Sequence, residues 1–212
     1  MTAAHGLGRS ARRVVLIGAE STGKTTLAMA LTDRLRAREG AWGLTAWVPE
    51  YGRQFTIEKL AAARAAAIVE GRDPPAMEQL VWHTDDFVRI ARTQRELEDE
   101  AARAGGLLLV CDTDAFATAI WHERYMHRRD ADVEAFAADP DPDRRLYLLT
   151  DTDDIPFVQD GLRDGFAVRR WMTDTFVERM NARGYRWQWL RGTTVETRVD
   201  EAIRIISDVW PQ

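Results

Sequence analysis

Short apolar runs alternate along the chain with longer stretches in which apolar residues recur every three or four positions. This is the pattern of βαβ units built on a parallel sheet. Arg13–Gly18 reads as a first strand, followed by a helix over Lys24–Arg38 that keeps Leu27, Leu31 and Leu35 on one face. Leu44–Pro49 reads as a second strand. The alanine-rich run Thr56–Glu70 reads as a helix, closed by Gly71 and the breaker Asp73-Pro74-Pro75. A long helix is expected over Met77–Ala104, with Leu80, Val81, Phe87, Val88 and Ala91 among its apolar positions, and it stops at Gly105-Gly106. Leu107–Cys111 is wholly apolar, as in a strand buried on both faces. A helix over Asp114–Tyr125, a strand over Arg145–Thr150, a helix around Thr173–Arg183, a strand over Tyr185–Leu190 and a helix over Thr194–Val209 complete the series. The expected architecture is α/β, a five-stranded parallel sheet sandwiched by helices. It forms one domain over residues 13–212 behind a flexible tail at residues 1–12. The Asp- and Pro-rich stretch Ala137–Arg144 reads as disordered or mobile.

Chemistry enters between the first strand and the first helix. Gly18-Ala19-Glu20-Ser21-Thr22-Gly23-Lys24-Thr25 completes G-x-x-x-x-G-K-[ST] in the strand–loop–helix setting that gives the motif meaning. Glycines let the backbone curl so that successive N–H groups face phosphate oxygens, and the helix presents its positive end to the same anion. Lys24 is expected to reach the β- and γ-phosphates of ATP, and Thr25 to place its hydroxyl on Mg²⁺. The expected nucleotide contacts are Gly18, Glu20, Ser21, Thr22, Gly23, Lys24, Thr25 and Thr26.

Composition narrows the partners. With 45% hydrophobic and 30% charged residues, the chain has the balance of a soluble globular protein. The net charge of -5 and the lack of a basic stripe argue against nucleic acid. No apolar run approaches the roughly 20 residues that span a bilayer. A single cysteine, Cys111, makes no internal disulfide, so a reducing cytoplasm is the expected home. Lysine occurs only at positions 24 and 59, all other strong bases being arginine. A retained lysine therefore suggests a place where a compact ammonium is wanted.

Acidic residues close two of the strands. Asp112 ends an apolar run, placed to hold Mg²⁺ through water or, more simply, to cap the next helix. Asp114 caps that helix or binds a sugar hydroxyl. Glu50 closes the second strand, where it faces an acceptor hydroxyl and takes its proton, or is a solvated surface acid. Arg53 stabilises the anion or binds phosphate. After the fourth strand, 153–163 reads as a mobile covering loop in which Arg163, with Arg169 and Arg170, closes over the transferring phosphate or is an ordinary surface arginine. Trp121 and Tyr125, four apart on one helix face, pack in the core or stack on a flat ring. The four histidines form no metal-ligand pattern.

Taken together, GAESTGKT at 18–25, EYGRQF at Glu50–Phe55, DTD at Asp112–Asp114 and DIPFVQDGLRDG at Asp154–Gly165 resemble the ribosylnicotinamide kinase family. That family includes the kinase domain of NadR-type proteins of NAD salvage. The likeness runs from about Arg13 to Ser207. It implies a P-loop NTPase of the small-metabolite-kinase type that uses ATP to phosphorylate the 5′-hydroxyl of nicotinamide riboside, giving nicotinamide mononucleotide. By position, Glu50 matches the acid near the acceptor hydroxyl, Asp112 and Asp114 the DTD pair, and Arg163 the lid arginine. Arg191-Gly192-Thr193 resembles the loop beside adenine, which adds Gly192 and Thr193 to the nucleotide contacts. Expected substrate contacts are Glu50, Tyr51, Arg53, Asp114, Trp121 and Asp160. His5-Gly6-Leu7-Gly8 departs from the HxGH motif of nucleotidylyl transfer, so that activity is expected to be absent. Phe157 stands where many relatives have Trp, and Pro49 where some bifunctional members carry an aromatic residue, so the exact nucleoside stays open. Two alternatives stand beside this one: a kinase for another nucleoside or small metabolite, and a regulatory ATPase with no small-molecule acceptor. No nucleic acid or membrane partner is expected, and the oligomeric state is open.

Overall fold

The computed structural model describes residues 11–138, 141–150 and 166–211. Five strands, β1 (Arg12–Ile17), β2 (Thr45–Val48), β3 (Leu108–Asp112), β4 (Arg145–Thr150) and β5 (Trp187–Leu190), form one parallel sheet in the order β2-β3-β1-β4-β5. Seven α-helices are found among the described residues: α1 (Lys24–Arg36), α2 (Tyr51–Val69), α3 (Thr84–Arg103), α4 (Ala115–Met126), α5 (Ala131–Ala137), α6 (Phe166–Ala182) and α7 (Val195–Val209). The fold is that of a P-loop NTPase.

Alternation along the strands builds two cores. Val14, Leu16, Val110, Leu146 and Leu148 pack on one face with Leu27 and Leu31 of α1 and Ile206 of α7. Val15, Ile17, Cys111, Tyr147 and Leu149 pack on the other with Phe87, Phe116 and Phe176. Burial on both faces is why the central strands read as unbroken apolar runs. Val14 lies level with Val110 on one side and Leu146 on the other. Because all strands are parallel, Ile17, Val48, Asp112 and Thr150 end at the same edge. The chain leaves β1 toward β2 on one side and later returns to β4 on the other. That reversal of direction opens a crevice at this edge, where ligands of open α/β sheets bind.

The expected helix over Met77–Ala104 is interrupted. Met77–Gln79 form a 3₁₀ turn, Leu80 is extended, and α3 begins only at Thr84. The Asp86 carboxylate accepts the His83 amide at 2.8 Å, capping the helix at that point, and Val81 is exposed. Helix α2 starts five residues earlier than periodicity suggests, directly after Glu50. Helix α5 was not expected, and Pro142–Arg144 form a 3₁₀ turn within a stretch read as irregular. Ala11 is buried and Arg12 opens β1, where a flexible tail was expected to reach residue 12. Residues 1–10 lie outside the described residues. Among the described residues, no helix is long and apolar enough to cross a membrane.

Candidate active site

The loop leaves β1 through Gly18 at φ 147° and enters α1 through Gly23 at φ 73°. Gly18 is fixed by space as well as by torsion: a Cβ there would lie 2.2 Å from Thr150 Oγ1. Gly23 occupies the N-cap of α1 and has no side chain to bond the first amides of the helix, which leaves them to an anion. Ser21 is held in the left-handed region at φ 62°, and its buried Oγ has no hydrogen-bond partner among the described residues. Backbone strain of this kind gathers at functional turns. Thr22 is fully buried; its hydroxyl donates to Ala19 O at 3.1 Å and accepts from Thr150 Oγ1 at 2.7 Å. Lys24 Nζ donates to the carbonyls of Gly18 at 3.1 Å and Ala19 at 2.8 Å, closing the loop on itself. Thr26 is exposed on the first turn of α1. On the far side, Gly192 has φ 137° and packs against Arg198 of α7. Arg198 Nη1 donates to Thr22 O at 2.8 Å, so the Gly192–Thr193 turn and the phosphate loop share one support.

Thr25 Oγ1 donates to Asp112 Oδ2 at 2.5 Å, while the buried Asp112 Oδ1 has no partner among the described residues. A hydroxyl paired with a carboxylate that keeps one oxygen uncommitted suits a hard cation, which takes oxygen ligands and completes its shell with water and phosphate. The residues therefore fit Mg²⁺. No group of three or more His, Cys, Asp or Glu side chains able to hold a metal occurs among the described residues. The next residue, Thr113, sits at φ 68°, and its amide donates to Leu16 O at 3.0 Å, locking the turn beyond Asp112.

Glu50 is the N-cap residue of α2 and lies 3.8 Å from Arg53 Nε, whose side chain is exposed. Burial pushes the Glu50 carboxyl above its ordinary value; Lys24 opposes the shift and Asp112 adds to it. Burial also pulls the Lys24 ammonium below its ordinary value, with Glu50 and Asp112 resisting. An acid raised by burial beside a cation is the usual setting of a general base. From Glu50 an aromatic wall extends. Tyr51 stands 6.2 Å from Phe55, Phe55 6.3 Å from Trp82, and Trp82 5.2 Å from Tyr125, on which Trp121 stacks at 6.1 Å. Lys59 Nζ lies 5.5 Å from the Trp82 ring and pairs with Asp86 at 2.7 Å. Trp121 thus packs against Tyr125 and the core while belonging to the same wall.

Asp114 does something else. Its Oδ1 caps α4 through the Ala117 amide at 3.0 Å, and its Oδ2 accepts from Arg145 at 3.1 Å and Tyr147 O–H at 2.9 Å. Both oxygens are engaged inside the protein and the residue is buried, which matches the capping role rather than contact with a sugar hydroxyl. Asp160 and Arg163 lie outside the described residues. Residue reading missed Gln94, Glu98, Arg145, Thr150 and Arg198. One signal was available: Phe87, Ile90, Ala91, Gln94, Glu98 and Ala102 form one buried stripe on α3, and two of its six members are polar.

A family model described as an AAA domain matches residues 13–198. The chain belongs to this AAA-domain family. Among solved structures, this AAA domain is similar to one described as NadR protein in complex with NR, at 17% identity and TM-score 0.66, over 97% of this chain and 52% of that one. It is also similar to NadR protein in complex with NAD and AMP-PNP, at 19% identity and TM-score 0.58, over 96% and 51%. A thymidylate kinase from Ehrlichia chaffeensis matches at 15% identity and TM-score 0.58, over 93% of this chain and 99% of that one. The AAA domain therefore spans about half the length of the two NadR chains and nearly all of the thymidylate kinase. At these identities the likeness establishes a shared P-loop fold. A search of curated protein sequences finds no match.

Proposed function

We propose that residues 13–212 form a kinase unit that transfers the γ-phosphate of ATP to the 5′-hydroxyl of nicotinamide riboside. The observation that supports this most is the convergence, at one sheet edge, of the Thr25–Asp112 pair, the Lys24 ammonium and the raised Glu50 carboxyl. A nucleotide switch needs the first two; a carboxylate beside them, at the head of an aromatic wall, is what a phosphate acceptor needs. The NadR structure in complex with NR adds support from its fold.

The acceptor oxygen attacks the γ-phosphorus as its proton passes to Glu50, and the bond to the β-phosphate oxygen breaks to release ADP. Lys24 exchanges its bonds to the loop carbonyls for the β- and γ-phosphate oxygens. Thr25 and Asp112 would hold Mg²⁺, which supplies charge neutralisation on those same oxygens. Tyr51, Trp82, Trp121 and Tyr125 offer flat faces to the acceptor's ring, and a cationic ring gains additionally from such faces. The resemblance assigns Arg163 to charge neutralisation over the transferring group and Asp160 to the substrate.

The test is ATP turnover with and without nicotinamide riboside, with the product identified by mass, alongside a panel of other nucleosides. The full-length match to a thymidylate kinase favours one second reading, a different nucleoside or nucleotide acceptor, which the same panel separates. Lys24→Ala should nearly abolish transfer. Glu50→Gln should slow it about 10²–10⁴-fold while ATP still binds, the usual worth of general-base assistance; turnover near the wild-type rate would show that Glu50 is not the base.

A further inference from the structure

Gln94 is an amide placed where an apolar side chain would be expected. It lies on the buried stripe of α3 and is 1% exposed. Its Nε2 donates to Pro49 O at 3.2 Å, and its Oε1 accepts the Tyr51 amide at 2.8 Å. One planar group thus grips the chain on both sides of Glu50. Pro49 has a ring-locked φ and no amide to donate. The Tyr51 amide is a first-turn N–H of α2, which no helix carbonyl can satisfy. With both neighbours pinned, the Glu50 backbone is held at φ -70° and ψ 114°, and little freedom is left beyond its side-chain torsions.

One turn further along α3, Glu98 Oε2 accepts from Arg13 at 3.0 Å and from Arg145 at 2.7 Å, and Arg145 reaches on to Asp114 at 3.1 Å. The same helix face therefore bears on the turn that carries Glu50 and, through Arg145, on the turn after Asp112. We propose that Gln94 is a positioning residue that fixes Glu50 against the acceptor hydroxyl, an inference that rests on the kinase reading above. Few other residues serve. Asparagine is one methylene too short to hold both groups, and glutamate accepts from Tyr51 but sets a bare oxygen against the Pro49 carbonyl. A leucine or methionine fills the space and holds neither.

The alternative is a buried glutamine that merely satisfies two backbone groups, and a double-mutant cycle separates the two. Gln94→Met, Glu50→Gln and the pair are compared by kcat and KM with ATP and nicotinamide riboside, with melting temperatures recorded. Misplacement of a catalytic group by about 1 Å costs on the order of 10²-fold. Gln94→Met is therefore expected to lower kcat about 10- to 100-fold with KM for ATP within about twofold. In the Glu50→Gln background the same change should alter the residual rate by less than about threefold, because residues acting as a unit are not additive. An equal loss in both backgrounds, or a loss carried in KM for ATP, overturns the positioning role alone. Wild-type turnover by Glu50→Gln, or no transfer by the unaltered protein, overturns the kinase reading and this inference with it. Should Gln94→Met not fold, Gln94→Asn runs the same cycle: it keeps a neutral amide that is one methylene too short to hold both the Tyr51 amide and the Pro49 carbonyl, and the same criteria decide.

Discussion

Arg145→Met probes the buried ionic network most directly. Arg145 is 6% exposed, and its guanidinium donates to Glu98 at 2.7 Å and Asp114 at 3.1 Å. Methionine fills much of the same space but removes the cation. Breaking a buried pair from one side costs about 3–5 kcal/mol, because a charge is left without compensation. Here Glu98 keeps Arg13, and Asp114 keeps Tyr147 and the Ala117 amide, so the lower end, about 3 kcal/mol, is expected. For a chain of this size that is roughly 6–12 °C in melting temperature. The pH dependence supplies a second check. Burial pushes the Asp114 carboxyl up to about 6, with Arg145 the strongest influence holding it down. Without Arg145 it rises further. A raised acid contributes stability that is lost as pH rises through its folded value, because the buried group must then ionise. The variant's deficit should therefore be largest near pH 8 and shrink toward pH 5.5. Urea unfolding followed by tryptophan fluorescence at both pH values measures it. A deficit below about 1 kcal/mol at pH 8, or one that widens on acidification, would refute the account.

Gly18→Ala should weaken ATP binding at least about tenfold and destabilise the fold by about 1–3 kcal/mol, since it forces a Cβ into both a strained torsion and the Thr150 hydroxyl. Pairing it with Thr150→Ala should recover only the steric part; full recovery in an ATP titration would show that the torsion does not matter. Asp112→Asn should raise the Mg²⁺ concentration for half-maximal rate about 10- to 100-fold, as loss of a water-mediated ligand does, and an unchanged Mg²⁺ titration would remove Asp112 from the metal site. The acid limb of kcat should lie above the ordinary glutamate range, because Glu50 acts only when ionised and burial raises its value. An acid limb at or below that range would point to another base.

The phosphate loop was legible because its chemistry demands particular residues at fixed spacing between a strand and a helix. The placement of Glu50 and Asp112 at one sheet edge was legible, since acids at the ends of parallel strands meet there. The α/β class followed from alternation, and the strands fell within a residue or two of the expected places. The helix break at residues 80–83 was hidden, because Leu80 and Val81 continue the apolar period while the true start is set by the cap from Asp86 to His83. The supports were hidden for a different reason. Gln94 reaches residues 43 and 45 positions away, and Arg145 meets Glu98 across 47. A polar residue on an apolar stripe announces that it has a partner without saying where that partner is. Asp114 illustrates the same gap: its place after Asp112 suggested a helix cap or a ligand for a sugar hydroxyl, and nothing in that place announced Arg145 and Tyr147, which also bind it.

With lysine confined to positions 24 and 59, the protein carries its own sparse set of primary side-chain amines. One belongs to the phosphate loop, and the other is held by Asp86 beside the Trp82 ring. An acylating reagent followed by peptide mass spectrometry would thus read the nucleotide end and the acceptor end separately, with no background from the arginine-rich surface. ATP should shield Lys24, and a ring bound along the aromatic wall should shield Lys59.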